Sequence, residues 1–196
     1  SQAPIIASHS AVRALCNVSR NLDDEQLLAL KQTGGVIQIV AYSGFVKTTK
    51  PDSPERAAAV AAAKREYQLP DAMGLGQRAR FQAALTQMSA DRRAEYERKL
   101  AEIDKQHPGD PTVNLKDFVD HIDYAVKLIG IDHVGISSDF DGGGGVIGWN
   151  DAGETFNVTL ELVRRGYTEE RIEKLWGGNL LRVMDEVQRI AQELQK

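Results

Sequence analysis

The sequence predicts an α/β protein with parallel strands, and three short apolar runs carry that prediction. They are Pro4-Ile5-Ile6-Ala7-Ser8-His9, Gly35-Val36-Ile37-Gln38-Ile39-Val40-Ala41-Tyr42 and His133-Val134-Gly135-Ile136-Ser137-Ser138-Asp139. Each runs from aliphatics straight into a side chain capable of chemistry. A short continuous aliphatic run reads as a strand buried within a parallel sheet. In such sheets ligands bind at the C-terminal tips of the strands. Here the tips offer a histidine, a tyrosine and a carboxylate, which points to an enzyme.

The connections keep the same rhythm. Ser10 to Ser19 reads as a loop with a short helical turn. Asn21-Leu22-Asp23-Asp24-Glu25-Gln26 then opens a helix, with Asn21 as its cap and acidic residues where the helix dipole favours them. Gly34 closes that helix, and the strand at 35–41 follows at once. The stretch 47–114 breaks the alternation, being rich in Ala, Arg, Glu, Lys and Gln with no strand-like run. Ser53-Pro54 caps one helix that continues to Tyr67, and a longer helix is expected over 89–106, ending at His107-Pro108-Gly109. This region reads as a helical insertion between two β/α units, serving as a lid, a subunit contact or surface decoration. From Asn114 to Gly130, Leu115, Phe118, Ile122, Ala125 and Leu128 recur at helical spacing. The last strand and its loop, Asp139-Phe140-Asp141-Gly142-Gly143-Gly144-Gly145, precede helical segments at about 153–165, 168–175 and 178–194. Three strands do not close a barrel, which needs eight and about 250 residues. The chain is therefore a small open α/β sheet or the last part of a barrel.

Composition narrows the function classes. The 196 residues are 42% hydrophobic and 27% charged with net charge −4, enough for a sizeable core. No basic stripe is available to neutralise phosphates, which argues against nucleic-acid binding. No apolar stretch approaches the roughly 18–20 residues that span a bilayer. Cys16 is the only cysteine, so no internal disulfide forms, and it reads as a small buried residue.

Among single residues, His9 is the strongest candidate, flanked by Ser8 and Ser10 at a strand tip. One histidine does not hold a zinc, which needs three or four ligands. His121 falls at a helical period and packs or caps, His107 lies in a turn, and His133 precedes the last strand. Asp139 is placed to act as a general acid or base, or as an electrostatic anchor, with Asp141 as its partner or a turn former. Arg20, eleven residues after His9, could clamp a carboxylate or simply face solvent. A phosphate loop, a calcium loop and a serine-hydrolase elbow are all missing.

Taken together, five segments resemble the membrane dipeptidase (renal dipeptidase) family, a branch of the metal-dependent amidohydrolases. They are Ala3-Pro4-Ile5-Ile6-Ala7-Ser8-His9-Ser10; Ser19-Arg20-Asn21 with Asp23-Asp24; His121-Ile122-Asp123; Val134 to Gly142; and Gly177-Gly178-Asn179-Leu180-Leu181-Arg182-Val183. The resemblance implies a (β/α)8 barrel with a pair of zinc ions at the C-terminal ends of its strands. By that resemblance His9 is a zinc ligand, and Arg20 binds the free carboxylate of a dipeptide. Asp139 handles the proton of the attacking water and the leaving amine, and Tyr42 lines the substrate pocket.

Members of the family also carry a His-x-Asp pair on the first strand, a bridging glutamate, another zinc histidine and an oxyanion-stabilising histidine. This sequence has no counterpart for any of them. Residues 1–196 are therefore expected to be the C-terminal three β/α units of one barrel domain, with the helical insertion at 47–114. They would act on dipeptides only with an N-terminal segment of the same enzyme. A homo-oligomer is expected and no nucleic-acid partner. Bacterial periplasm and cytoplasm both stay open as compartments. Two alternatives remain, a non-catalytic α/β module and an amidohydrolase acting on other amides.

Overall fold

A computed structural model describes residues 1–70, 77–140 and 142–195, so Asp141 lies outside the described residues. The chain divides into two compact units. The first comprises Ser1–Thr48, Val113–Phe140 and Gly144–Lys196, and the second is built on Thr49–Thr112.

The first unit carries a three-stranded parallel sheet in the order β1 (Ile6–Ser10), β2 (Val36–Val40), β3 (Val134–Ser137). All of β2 is buried because it lies between two neighbours, which explains an aliphatic run interrupted only by Gln38. Helix α1 (Asp24–Gln32) joins β1 to β2. A short helix, α2 (Ser43–Val46), follows β2, and α6 (Leu115–Ile129) precedes β3. Leu27 and Leu30 of α1, Ile37 and Ile39 of β2, and Phe118, Ile122 and Ile129 of α6 form one core. Full burial of each such side chain contributes about 1.5–3 kcal/mol. Helices α7 (Thr155–Arg164), α8 (Glu169–Glu173) and α9 (Asn179–Leu194) complete the unit, with a π-turn at Lys174–Gly178 between the last two.

The second unit is helical, as the composition of 47–114 predicts: α3 (Pro54–Glu66), α4 (Gln77–Gln87) and α5 (Ala90–Gln106). Ser53 accepts from the Arg56 N–H with Pro54 in the first turn, and Ser89 accepts from Arg92. Ala63, Leu69, Tyr96 and Ile103 form its own small core. Among the described residues, no helix is long and apolar enough to cross a membrane.

One cap differs from the sequence reading. Asp23, not Asn21, caps α1: its Oδ1 accepts from Gln26 N at 2.9 Å, and Gln26 Oε1 accepts from Asp23 N at 3.1 Å. That reciprocal box fixes the helix start two residues later. Asn21 is fully buried and its side chain is committed elsewhere.

Two of the family-like segments prove to be staples. Asn179 Nδ2 donates to the carbonyls of Ile131 (2.6 Å) and Val134 (2.8 Å), and Arg182 donates to those of Gly34 (3.0 Å) and Asp132 (2.8 Å). They tie α9 to the entry ends of β2 and β3, away from the strand tips. Asp123 accepts from Tyr167 Oη at 2.7 Å and from Arg165 at 2.7 Å, joining α6 to α7 and the loop that follows it.

Candidate active site

The tip of β1 is irregular in a way that matters for His9. Register runs from Ala7 against Ile37 to Ser10 against Ile39, three steps on β1 for two on β2. Such a bulge re-aims the side chains it contains, here Ser8 and His9. The exposed His9 ring has a partner at each nitrogen: Ser8 Oγ lies 2.8 Å from Nδ1, and Arg20 Nη2 lies 3.3 Å from Nε2. A guanidinium only donates, so Nε2 is the acceptor and the ring proton sits on Nδ1, donated to Ser8. Ser8 thereby fixes the tautomer that leaves Nε2 its lone pair.

Arg20 is held from both sides. Its carbonyl accepts from Ser10 Oγ at 2.8 Å, and its guanidinium lies 5.8 Å from the centroid of the Phe45 ring. Phe45 in turn meets Tyr42 edge-on, with centroids 4.8 Å apart. Tyr42 precedes α2 at the tip of β2, and its backbone pairs with Gly145 after β3. The adjoining backbone makes the link continuous: Ala41 N donates to Ser137 O at 3.0 Å, and Gly145 N donates to Ala41 O at 2.6 Å.

Asp139 lies two residues past β3, half-buried, with φ +54°. A non-glycine residue in this left-handed region is uncommon, and such strain gathers at functional sites. The turn is closed by Gly144 N, which donates to Asp139 O at 2.6 Å. A side chain at Gly144 would collide with the carbonyls of Ser138 and Asp139.

The structure therefore joins His9, Arg20, Phe45 and Tyr42 through successive contacts. Among the described residues, no hydrogen bond or ion pair links Asp139 to them; it shares only the C-terminal edge of the sheet. No three His, Cys, Asp or Glu residues gather to hold a metal among the described residues. His9 fits the part of one ligand, and the described residues do not by themselves make a metal centre.

The other histidines are structural. His121 is buried, accepts from Val12 N at 3.0 Å through Nδ1 and donates to Val46 O at 2.8 Å through Nε2. Burial pushes its pKa down, against the pull of the Val46 carbonyl. His133 bonds the Gly35 carbonyl, and the His107 carbonyl accepts from Arg56. Cys16 is buried, with Thr48 Oγ1 at 3.4 Å. Sequence reasoning missed Ser8 as the ring's orienter and Phe45 as the arginine's support. Spacing from Tyr42 to Phe45, one helical turn, was the available signal for Phe45.

Comparison with known proteins settles the family. The model for Membrane dipeptidase (Peptidase family M19) matches residues 1–196. This chain belongs to the membrane dipeptidase family. It is 32% identical to Dipeptidase ataJ of Aspergillus terreus over 192 residues, which cover 97% of this chain and 32% of that protein. It is also similar to the crystal structure of the probable dipeptidase PvdM from Pseudomonas aeruginosa, at 45% identity and TM-score 0.63. That match covers 96% of this chain and 46% of PvdM. A Rhodobacter sphaeroides metallo peptidase, solved with a phosphinate mimic of the dipeptide L-Ala-D-Ala, shares the fold at 21% identity and TM-score 0.58, covering 95% and 37%. This membrane dipeptidase family chain thus spans a third to a half of the length of these relatives.

Proposed function

We propose that these residues form the C-terminal three β/α units of a (β/α)8 barrel in a zinc-dependent dipeptidase. They work with an N-terminal segment that completes the barrel and a binuclear metal site. The observation that carries this reading is the His9–Arg20 contact at the strand tips, within a chain that matches the family over its whole length. His9 would supply one zinc ligand through Nε2, whose lone pair serves either a metal or the guanidinium but not both. A bound zinc centre supplies acidification of water near neutral pH and polarisation of the scissile carbonyl.

The chain's own residues do the rest. Arg20, backed by Phe45, pairs with the free carboxylate of a dipeptide in the bidentate manner of guanidinium groups. That contact sets the carboxylate one residue beyond the scissile bond, so Arg20 selects the C-terminal peptide bond of a substrate, the single bond that a dipeptide has. Tyr42 forms the pocket wall beside this arginine. Asp139 takes a proton from the attacking water as the new carbon–oxygen bond forms, then returns it to the leaving nitrogen as the carbon–nitrogen bond breaks. Ser8 keeps His9 in the tautomer that leaves Nε2 unprotonated.

The test is turnover and zinc content of the full-length enzyme across a panel of L,L-dipeptides, dipeptides with a C-terminal D-residue, tripeptides and β-lactams. Dipeptide hydrolysis with stoichiometric zinc supports the reading. Failure on every dipeptide with activity on another amide would replace it with a different amidohydrolase.

A further inference from the structure

Resting on that reading, we infer that Asn21 is a positioning residue for the substrate-carboxylate clamp: it locks the Arg20 backbone to the aromatic support beneath the Arg20 guanidinium. Asn21 is completely buried, and its side chain uses its hydrogen-bonding capacity on backbone groups from separate parts of the chain. Its Oδ1 accepts from Ala11 N, just past β1, at 3.2 Å. Its Nδ2 donates to Cys16 O at 2.8 Å and to Phe45 O at 2.8 Å. One amide thus ties the exit of β1, the loop before Arg20 and the short helix α2. Ser10 Oγ on the Arg20 carbonyl grips the preceding peptide from the other side.

The geometry has a direct consequence for Arg20. An exposed arginine explores many rotamers, and each bond it makes must offset that freedom. Here the strand tip and the Phe45 ring bracket the guanidinium, and Asn21 is the group that fixes the distance between them. Losing Asn21 takes its partner from the Phe45 carbonyl and from the Ala11 N–H, leaves the Cys16 carbonyl with the Val18 N–H alone, and lets the Phe45 segment drift from the Arg20 segment. The chemical step at Asp139 is untouched. The cost therefore falls on binding of the carboxylate and leaves turnover of bound substrate alone.

The experiment uses the metal-loaded full-length enzyme and a dipeptide it hydrolyses. Asn21→Ala should raise KM about 10-fold or more, the scale of a lost charge-assisted contact, with kcat within about threefold. In an Arg20→Ala background the same change should alter KM by less than about threefold, because the clamp is already gone. Asn21→Asp keeps the acceptor for Ala11 but turns a carboxylate oxygen on the Cys16 and Phe45 carbonyls in place of a donor, so it should raise KM at least as much as Asn21→Ala. Phe45→Leu removes the ring without touching the Asn21 bonds, and it should raise KM about two- to fivefold. Hydrogen exchange over residues 42–48 should quicken in both Asn21 variants while the strands keep their protection.

If Asn21→Ala does not fold, Asn21→Asp and Phe45→Leu decide the matter. An unchanged KM in the folded variants, or an equal rise with and without Arg20, would overturn the positioning role while dipeptidase activity stands. A wild-type enzyme inert toward every dipeptide would instead overturn the functional reading, and the exchange data alone would then decide whether Asn21 locks the two segments.

Discussion

Arg20 offers one guanidinium to two neighbours, His9 Nε2 at 3.3 Å and the Phe45 ring at 5.8 Å. A carboxylate is a stronger partner than either, since it carries the opposite charge and accepts two parallel N–H bonds from the planar guanidinium. Arg20→Ala should therefore raise KM for dipeptides about 10- to 100-fold with kcat nearly unchanged. Arg20→Lys should restore only part of the loss, because an ammonium lacks the planar fork. Steady-state kinetics decide this, and an unchanged KM would remove the clamp. Asp139→Asn should lower kcat about 100-fold or more while zinc content stays the same, as expected for a lost proton carrier. The tip residues were legible because each ends a run of aliphatics. Asn21 was misread as a helix cap because its partners, Ala11, Cys16 and Phe45, are brought together only by the fold. Local sequence carries no mark of a side chain that bonds distant backbone.

Among the elements, strands and helices followed the sequence closely because apolar period and capping residues determine both. The bulge at Ser8-His9 was not legible, since register depends on the partner strand. Neither was the division of labour among the family-like segments. The Gly-Asn-Leu-Leu-Arg-Val segment looks as chemical as the strand tips, yet Asn179 and Arg182 spend their donors on carbonyls at the opposite ends of the strands. Asn179→Ala takes a donor from the buried Val134 carbonyl and leaves the Ile131 carbonyl with the Val134 N–H alone, and should cost about 1–3 kcal/mol of stability. Urea unfolding measures that loss, and KM should not move. Gly144→Ala has the opposite signature. It forces the loop away from the Ser138 and Asp139 carbonyls, so kcat should fall more than stability does.

At the scale of the whole molecule, His121 couples the fold to pH. It must stay neutral to accept from Val12 through Nδ1, and burial holds its pKa below the ordinary imidazole value. As pH falls through about 6.5, the unfolded chain takes up a proton that the folded chain refuses. Stability is thus full above that value and declines below it, until the folded-state pKa is passed. His121→Gln, keeping a donor and an acceptor, should flatten this part of the stability–pH profile, measured by thermal unfolding between pH 5 and 8. An unchanged slope would mean that other groups set it. Among the described residues, β1 has a paired neighbour on one side only, with Ile5 and Ile6 exposed, and His9 is a single candidate ligand at its tip. Both features fit a sheet that continues into further strands bearing further ligands. The measurement that tests this most directly is native mass spectrometry of the dipeptide-hydrolysing species, followed by denaturation in the same run. The expected species holds these residues together with an N-terminal segment, in one polypeptide or as companion chains, and carries about two zinc ions. A species of these 196 residues alone that binds zinc in that amount and turns over dipeptides would contradict that expectation.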